Sequence, residues 1–473
     1  MSTASRLAKN TATLFASQAV MLLLSTVFTV YLARLLGPAN YGKYVFASSF
    51  PAIFFVSFTF LSDLAVRDVA RDKSSASNYL GSIVTLKIFL CSILLLLIYY
   101  LLRLMGYPQD TAIAVYAFSL YFFLQRITSS FSAIFIAHEK LSYSAVSAAI
   151  EKLVIVSLAL LLLSCGSGLT GFVWVFVFGG FFRLLALSIL IRPYAKLRLR
   201  FNPGLYRYLF KIGYPMLLAS LFGVLISKIG VVILSKLKGD QAVGLYGIGY
   251  GLYIVVTIVA TSFNSSLFPL FSKYSLKQRE KSVALYKISF RLLFACAVLL
   301  MVAVLALADR IVLLFFKQAY LDSTAVIRII FLGLPLFFVR NLLATILISI
   351  NRQKRIMPCL AAGLLLHLIL SFALIPRVSY LGASIAFVAT ELVVFSTLFY
   401  FVRRHFSKLD LLAILLKSSI AGGLTYLFLL YLGQGNLFFV ALGGTIIFLG
   451  LLLLLKFFSK QQLVLMKETV FNG

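Results

Sequence analysis

Gly37-Pro38-Ala39-Asn40-Tyr41-Gly42-Lys43-Tyr44 interrupts a long apolar stretch, and 202 residues later the chain repeats it as Gly239-Asp240-Gln241-Ala242-Val243-Gly244-Leu245-Tyr246. Each G-x-x-x-x-G-x-Y copy follows the first hydrophobic segment of its own half. A tight helix-to-helix turn needs glycine where φ turns positive or where backbones approach closely. Gly37, Gly42, Gly239 and Gly244 are therefore read as structural turn residues. One membrane unit has been duplicated, and duplicated membrane units enclose a path between them. Transport is the first functional expectation, ahead of any reaction.

The apolar stretches around this motif set the fold class. Hydrophobic residues make up 62% of the 473, charged residues only 12%, and mean hydropathy is +1.05, which excludes a soluble globular protein. A spanning helix takes about 20 mostly apolar residues. Fourteen such segments are expected, at 11–35, 42–62, 79–102, 111–136, 144–164, 171–192, 212–235, 245–272, 285–308, 324–350, 356–376, 381–402, 409–432 and 437–457. No gap between them holds a folded soluble domain. The expected architecture is an all-α polytopic membrane protein of two pseudo-twofold-related six-helix bundles plus two C-terminal helices. Its lobes are 1–200 (spans 1–6) and 201–402 (spans 7–12), with 403–473 as an appended pair. Six spans return the chain to its starting side, so the repeats run parallel. A weaker echo, Ala137-His-Glu-Lys140 and Asn351-Arg-Gln-Lys354, opens spans five and eleven.

A net charge of +30 invites a nucleic-acid reading, but the placement of the charge opposes it. Arg6 and Lys9 precede the first span and fix the N-terminus inside; Lys456, Lys460 and Lys467 do the same for the C-terminus. With spans alternating, 25 of the 43 Lys and Arg fall inside, 8 outside and 10 within spans. The charge is thus an orientation signal of a multi-pass cell-membrane protein with cytoplasmic termini. Its partners are anionic membrane lipids, with no nucleic acid expected. Cys91, Cys165, Cys296 and Cys359 have no metal-ligand spacing, so no metal or other cofactor is expected. The first apolar run is too long for a signal-peptide core and is read as span one. Pro51, Pro215, Pro269 and Pro335 lie within or near the ends of spans and are candidate bends.

Tyr31-Leu-Ala-Arg-Leu-Leu-Gly-Pro-Ala-Asn-Tyr-Gly42 resembles the signature near the start of polysaccharide flippases of the O-antigen transporter type. These belong to the multidrug/oligosaccharidyl-lipid/polysaccharide exporter superfamily. Ile350-Asn-Arg-Gln-Lys354, Leu374-Ile-Pro376 and Gly382-Ala-Ser-Ile-Ala386 resemble a later run of the same family. Leu313-Leu-Phe-Phe-Lys-Gln-Ala-Tyr320 is a looser match, because the family's glycine is here Phe316 or Lys317. The resemblance implies a two-lobed bundle moving a polyprenyl-pyrophosphate-linked oligosaccharide from the cytoplasmic to the outer leaflet, for cell-surface polysaccharide biosynthesis. It also implies a polysaccharide polymerase and glycosyltransferases as partners.

Basic residues inside the spans supply the physical reading of that function. Arg or Lys at mid-membrane costs about 2.5–3.5 kcal/mol on insertion scales, so it faces a cavity or a partner. Lys287, Arg291 and Arg328 are near span ends and can snorkel; Lys87 and Lys417 are about two turns deep. Arg126, Lys152, Arg183, Lys228 and Arg340 are the candidate substrate-binding residues. Glu151 and Glu391 are the clear acids within spans and the candidates for ion coupling. Such an excess of positive charge suits a wet lumen that receives an anion. Unassisted transfer of an ionised pyrophosphate would cost tens of kcal/mol, and Arg and Lys on the lumen wall offset its charge.

Three other functions compete with this reading. A multidrug cation antiporter should present acids, and span one has none. A peptidoglycan lipid-precursor flippase shares the fourteen-span plan and a cationic cavity; only the closer match of Tyr31–Gly42 speaks against it. A polysaccharide polymerase or ligase would carry a large outward loop with catalytic residues, and no outward loop exceeds about fifteen residues. His138 and His405 sit at loop edges, and His367 is read as a hydrogen-bonded packing residue. No catalytic residue is assigned, and an enzyme is not expected.

Overall fold

The structure, a computed structural model, describes residues 3–432 and 435–458, with side-chain detail from residue 24 onward apart from 272, 275–277 and 438. Lys460, Lys467 and the side chains of Arg6, Lys9 and Lys277 lie outside the described residues. No strand occurs among the described residues. The helices are α1 (Thr3–Phe55), α2 (Thr59–Arg71), α3 (Ala76–Met105), α4 (Gln109–Ala137), α5 (Leu141–Ser164), α6 (Gly168–Phe172), α7 (Trp174–Leu190), α8 (Pro203–Lys277), α9 (Arg279–Phe316), α10 (Ser323–Phe331), α11 (Leu334–Ser349), α12 (Ile356–His405), α13 (Leu411–Tyr431) and α14 (Leu437–Leu454).

Nine helices among the described residues are long and apolar enough to cross a membrane. Three of them, α1, α8 and α12, are double-length and break in the middle, at Gly37, at Gly239 and at Val378–Ser379. Helices α10 and α11 form one bent segment, 42° apart, and α14 adds a shorter apolar helix. With the broken helices counted twice, the described chain is consistent with the fourteen expected segments. It is an all-α, multi-pass membrane protein. The bend between α10 and α11 falls at Leu332–Gly333, and Pro335 stands in the first turn of α11, where its missing N–H costs nothing.

The chain forms two compact units, Met1–Gly244 and Leu245–Gly473. The expected repeat boundary at 200/201 and the appended pair from 403 concern duplication rather than compactness. In the first unit α4 is central, packing on α1, α2, α3 and α7. Its Ile127, Phe131, Ile134 and Phe135 join Leu80, Val84 and Leu187 in one buried cluster. Tyr44, Phe118, Phe172 and Phe176 form a second, aromatic cluster. In the second unit α9 packs on α10, α11 and α13, and α12 covers α10 and α11. Tyr253 is enclosed there by Phe331, Phe337 and Phe387.

The quoted motif resolves into two different uses of glycine. Gly37 (φ 71°, ψ 171°) and Gly239 (φ 80°, ψ −176°) share a conformation that glycine adopts without strain, and it breaks the helix. Gly42 and Gly244 are helical, and their role is contact. Within the first unit, a Cβ on Gly42 would lie 1.8 Å from the Asp240 carbonyl oxygen, and one on Gly244 would lie 2.0 Å from that of Pro38. The two copies therefore touch reciprocally, backbone on backbone. Around them Lys43 pairs with Asp110 and the Tyr107 hydroxyl donates to Ser235 Oγ at 3.2 Å.

The weaker echo registers differently from its letters. Glu139 (φ 61°) and Asn351 (φ 57°) are the left-handed residues that close α4 and α11. The Lys140 and Arg352 amides then donate back to the Phe135 and Leu347 carbonyls. The turns thus correspond two residues out of step with the sequence alignment.

Candidate functional site

Basic side chains inside the first unit gather around α4. Lys87 of α3 is fully buried. Its ammonium donates to Ser62 Oγ at 2.6 Å, Ser130 Oγ at 2.9 Å, Ser129 Oγ at 3.0 Å and the Arg126 carbonyl at 3.0 Å. Ser129 Oγ donates to the same carbonyl at 2.7 Å. Helix periodicity explains the cage, since Ser129 and Ser130 lie three and four residues after Arg126 on one face. Arg126 Nε is buried with no hydrogen-bond partner. No carboxylate lies within ion-pair distance of Arg126 or Lys87 among the described residues. Asp63, next to Ser62 on α2, acts on both only through space.

Arg183 is arranged differently. Its Nη1 donates to Glu151 Oε2 at 3.0 Å and Gln125 Oε1 at 3.3 Å, while Gln125 Nε2 donates to Glu151 Oε1. Gly179 lets α7 close on α5, since a Cβ there would meet Ile155 at 2.6 Å. Lys152 does not pair with its sequence neighbour Glu151. Consecutive helix residues diverge by about 100°, and the Lys152 ammonium stands 5.4 Å from the Phe28 ring centroid. Lys228 is half-buried on α8.

In the second unit Arg340 of α11 meets Glu391 of α12, Nε to Oε2, at 2.8 Å. The approach is close but misdirected, and neither atom has a hydrogen-bond partner. The guanidinium also lies 4.8 Å from the Phe337 ring centroid. His367 Nδ1 is 3.1 Å from Thr390 Oγ1, whose hydroxyl donates to the Ala386 carbonyl. His367 is thus the expected hydrogen-bonded packing residue.

The five candidate binding residues thus fall on five separate helices, α4, α5, α7, α8 and α11. Arg183 and Arg340 are held by the candidate coupling acids Glu151 and Glu391; Arg126 is held by no carboxylate among the described residues. Toward the span ends, Arg328 pairs with Asp309 at 2.7 Å, and Arg291 and Lys417 reach the Phe457 and Lys456 carbonyls. Sequence reasoning underrated Lys87. The signal for it was Ser129-Ser130, two adjacent hydroxyls inside a span one turn after an arginine.

The model of a family described as polysaccharide biosynthesis protein matches residues 7–275, and that of MatE matches residues 215–373. The capsular polysaccharide biosynthesis protein CapF of Staphylococcus aureus is 23% identical over 409 residues, covering 84% of this chain and all of the relative. A putative O-antigen transporter of Escherichia coli (strain K12) is 23% identical over 386 residues, covering 79% of this chain and 91% of that protein. The structure of the lipid II flippase MurJ in an inward closed conformation superposes with a TM-score of 0.75 at 16% identity, covering 94% of this chain and 97% of that one. That likeness shows the fold.

Proposed function

This chain belongs to the polysaccharide biosynthesis protein family of membrane flippases, and on that premise we propose that it carries a polyprenyl-pyrophosphate-linked oligosaccharide from the cytoplasmic to the outer leaflet by alternating access. The lipid tail stays in hydrocarbon throughout, while the charged headgroup needs a polar route. The observation that carries the reading is Arg126, a guanidinium inside the membrane with a buried, unpartnered Nε and no carboxylate within ion-pair distance among the described residues. A planar guanidinium can take two phosphate oxygens at once.

Arg183 and Arg340 contribute conditionally. Each is occupied by a carboxylate, so protonation of Glu151 or Glu391 releases a guanidinium for the phosphate and couples proton movement to binding. Lys152 and Lys228 add positive charge along the route. The termini are cytoplasmic, and a polymerase and glycosyltransferases act on the same lipid-linked sugar.

Deletion of the gene should trap lipid-linked oligosaccharide on the cytoplasmic face, and the native protein should restore export. Arg126→Ala, shown folded by its melting curve, is expected to leave the lipid trapped. Normal export by that variant removes Arg126 from the route, and an unaltered leaflet distribution on deletion removes the whole reading.

A further inference from the structure

We infer that Lys87 is the positioning residue of the anion site, fixing the turn that bears Arg126 and supplying a second positive charge beneath it. This rests on the reading that Arg126 meets the phosphate. The cage is unusual in composition: an ammonium has three protons to give, and Lys87 offers them to four oxygens, all neutral. A buried charge is normally neutralised by an opposite one, because an unpaired ion in a low-dielectric interior is costly. The other arginines set deep in spans follow that rule, Arg183 with Glu151 and Arg340 with Glu391. Lys87 and Arg126 instead stand as two like charges, which repel, with no carboxylate within ion-pair distance of either among the described residues.

That repulsion is what an anion relieves. One of the four caging oxygens is the backbone carbonyl of Arg126 itself, and two more belong to residues one turn further along α4. The ammonium therefore ties α3, α2 (through Ser62) and the Arg126 turn into one rigid knot. Removing the charge alone would leave the shape and weaken the field, while removing the side chain would loosen the turn. Lys87 is buried too deeply to touch the ligand and acts through Arg126 and through space.

The full-length protein in lipid nanodiscs, titrated with inorganic pyrophosphate and with inorganic phosphate by calorimetry, tests this. Arg126→Gln should abolish pyrophosphate binding. Lys87→Met should weaken it by about tenfold, and phosphate by clearly less, because the Coulomb contribution scales with ligand charge. Equal losses for the two anions would mark mere packing damage and overturn the inference, as would unchanged affinity in Lys87→Met. Binding that is absent in the native chain, or untouched by Arg126→Gln, would instead sink the Arg126 reading. Should Lys87→Met fail to fold, Lys87→Ala with n-propylammonium decides: the small amine should refill the cage and restore both melting point and pyrophosphate affinity. Failure of that rescue overturns the assignment.

Discussion

Lys317, one of the two residues that stand where the resembled signature has glycine, adopts φ 71°, ψ 168°, close to Gly37 and Gly239. Side chains other than glycine almost never occupy that region, at a cost of about 1–3 kcal/mol. Lys317→Gly is therefore expected to raise the thermal midpoint of the purified protein; a lowered one would show that the Lys317 side chain outweighs the strain. The Arg340–Glu391 pair gives a second residue-scale expectation. Arg340→Met strands a buried carboxylate and should cost about 3 kcal/mol, most of it recovered in Arg340→Met/Glu391→Gln, since an uncompensated charge is worse than none. A double variant no more stable than the single one would contradict that. Sequence made the wrong pairing plausible here: Glu151-Lys152 are adjacent in the chain, yet Glu151 meets Arg183, 32 residues away.

At the scale of the element, the repeated motif was legible as a turn, but the division of labour among its glycines was not. Positive φ belongs to Gly37 and Gly239; close approach belongs to Gly42 and Gly244. Gly42→Ala and Gly244→Ala should each lower the melting point markedly, because the added methyl meets backbone, which cannot rotate away. Gly223→Ala is the control: it is helical with open space around its Cβ position, so it should hold or gain up to about 1 kcal/mol. Equal behaviour of the three in a melting series would mean that the reciprocal contact is not what needs glycine. Similar reasoning explains Gly382, whose Cβ would lie 2.6 Å from the Leu374 carbonyl; the Ile-Pro and Gly-Ala runs of the family signature are two sides of one break in α12. The echo at Lys140 and Lys354 was misregistered because letters do not report which residue closes a helix.

For the whole molecule, the asymmetry of basic residues predicts which ends face the cytoplasm, and cysteine offers a direct check. Cys91 and Cys359 are buried and Cys296 is half-buried, whereas Cys165 is exposed just past the end of α5. A membrane-impermeant maleimide should label intact cells at Cys165, and Cys165→Ser should abolish that labelling; labelling only after lysis would invert the topology. Helicity, repeated membrane crossing and internal repetition follow from the linear chain, because hydrophobic run length and recurring turns are local properties that lipid enforces on any segment. The presence of positive charge inside spans follows from it too. Which of those charges are answered is a matter of the folded arrangement: Arg183 and Arg340 by carboxylates, Lys87 by hydroxyls and a carbonyl, Arg126 by no carboxylate among the described residues. That outcome depends on helix rotation and on which helices are neighbours, and both are set by packing between segments far apart in the chain.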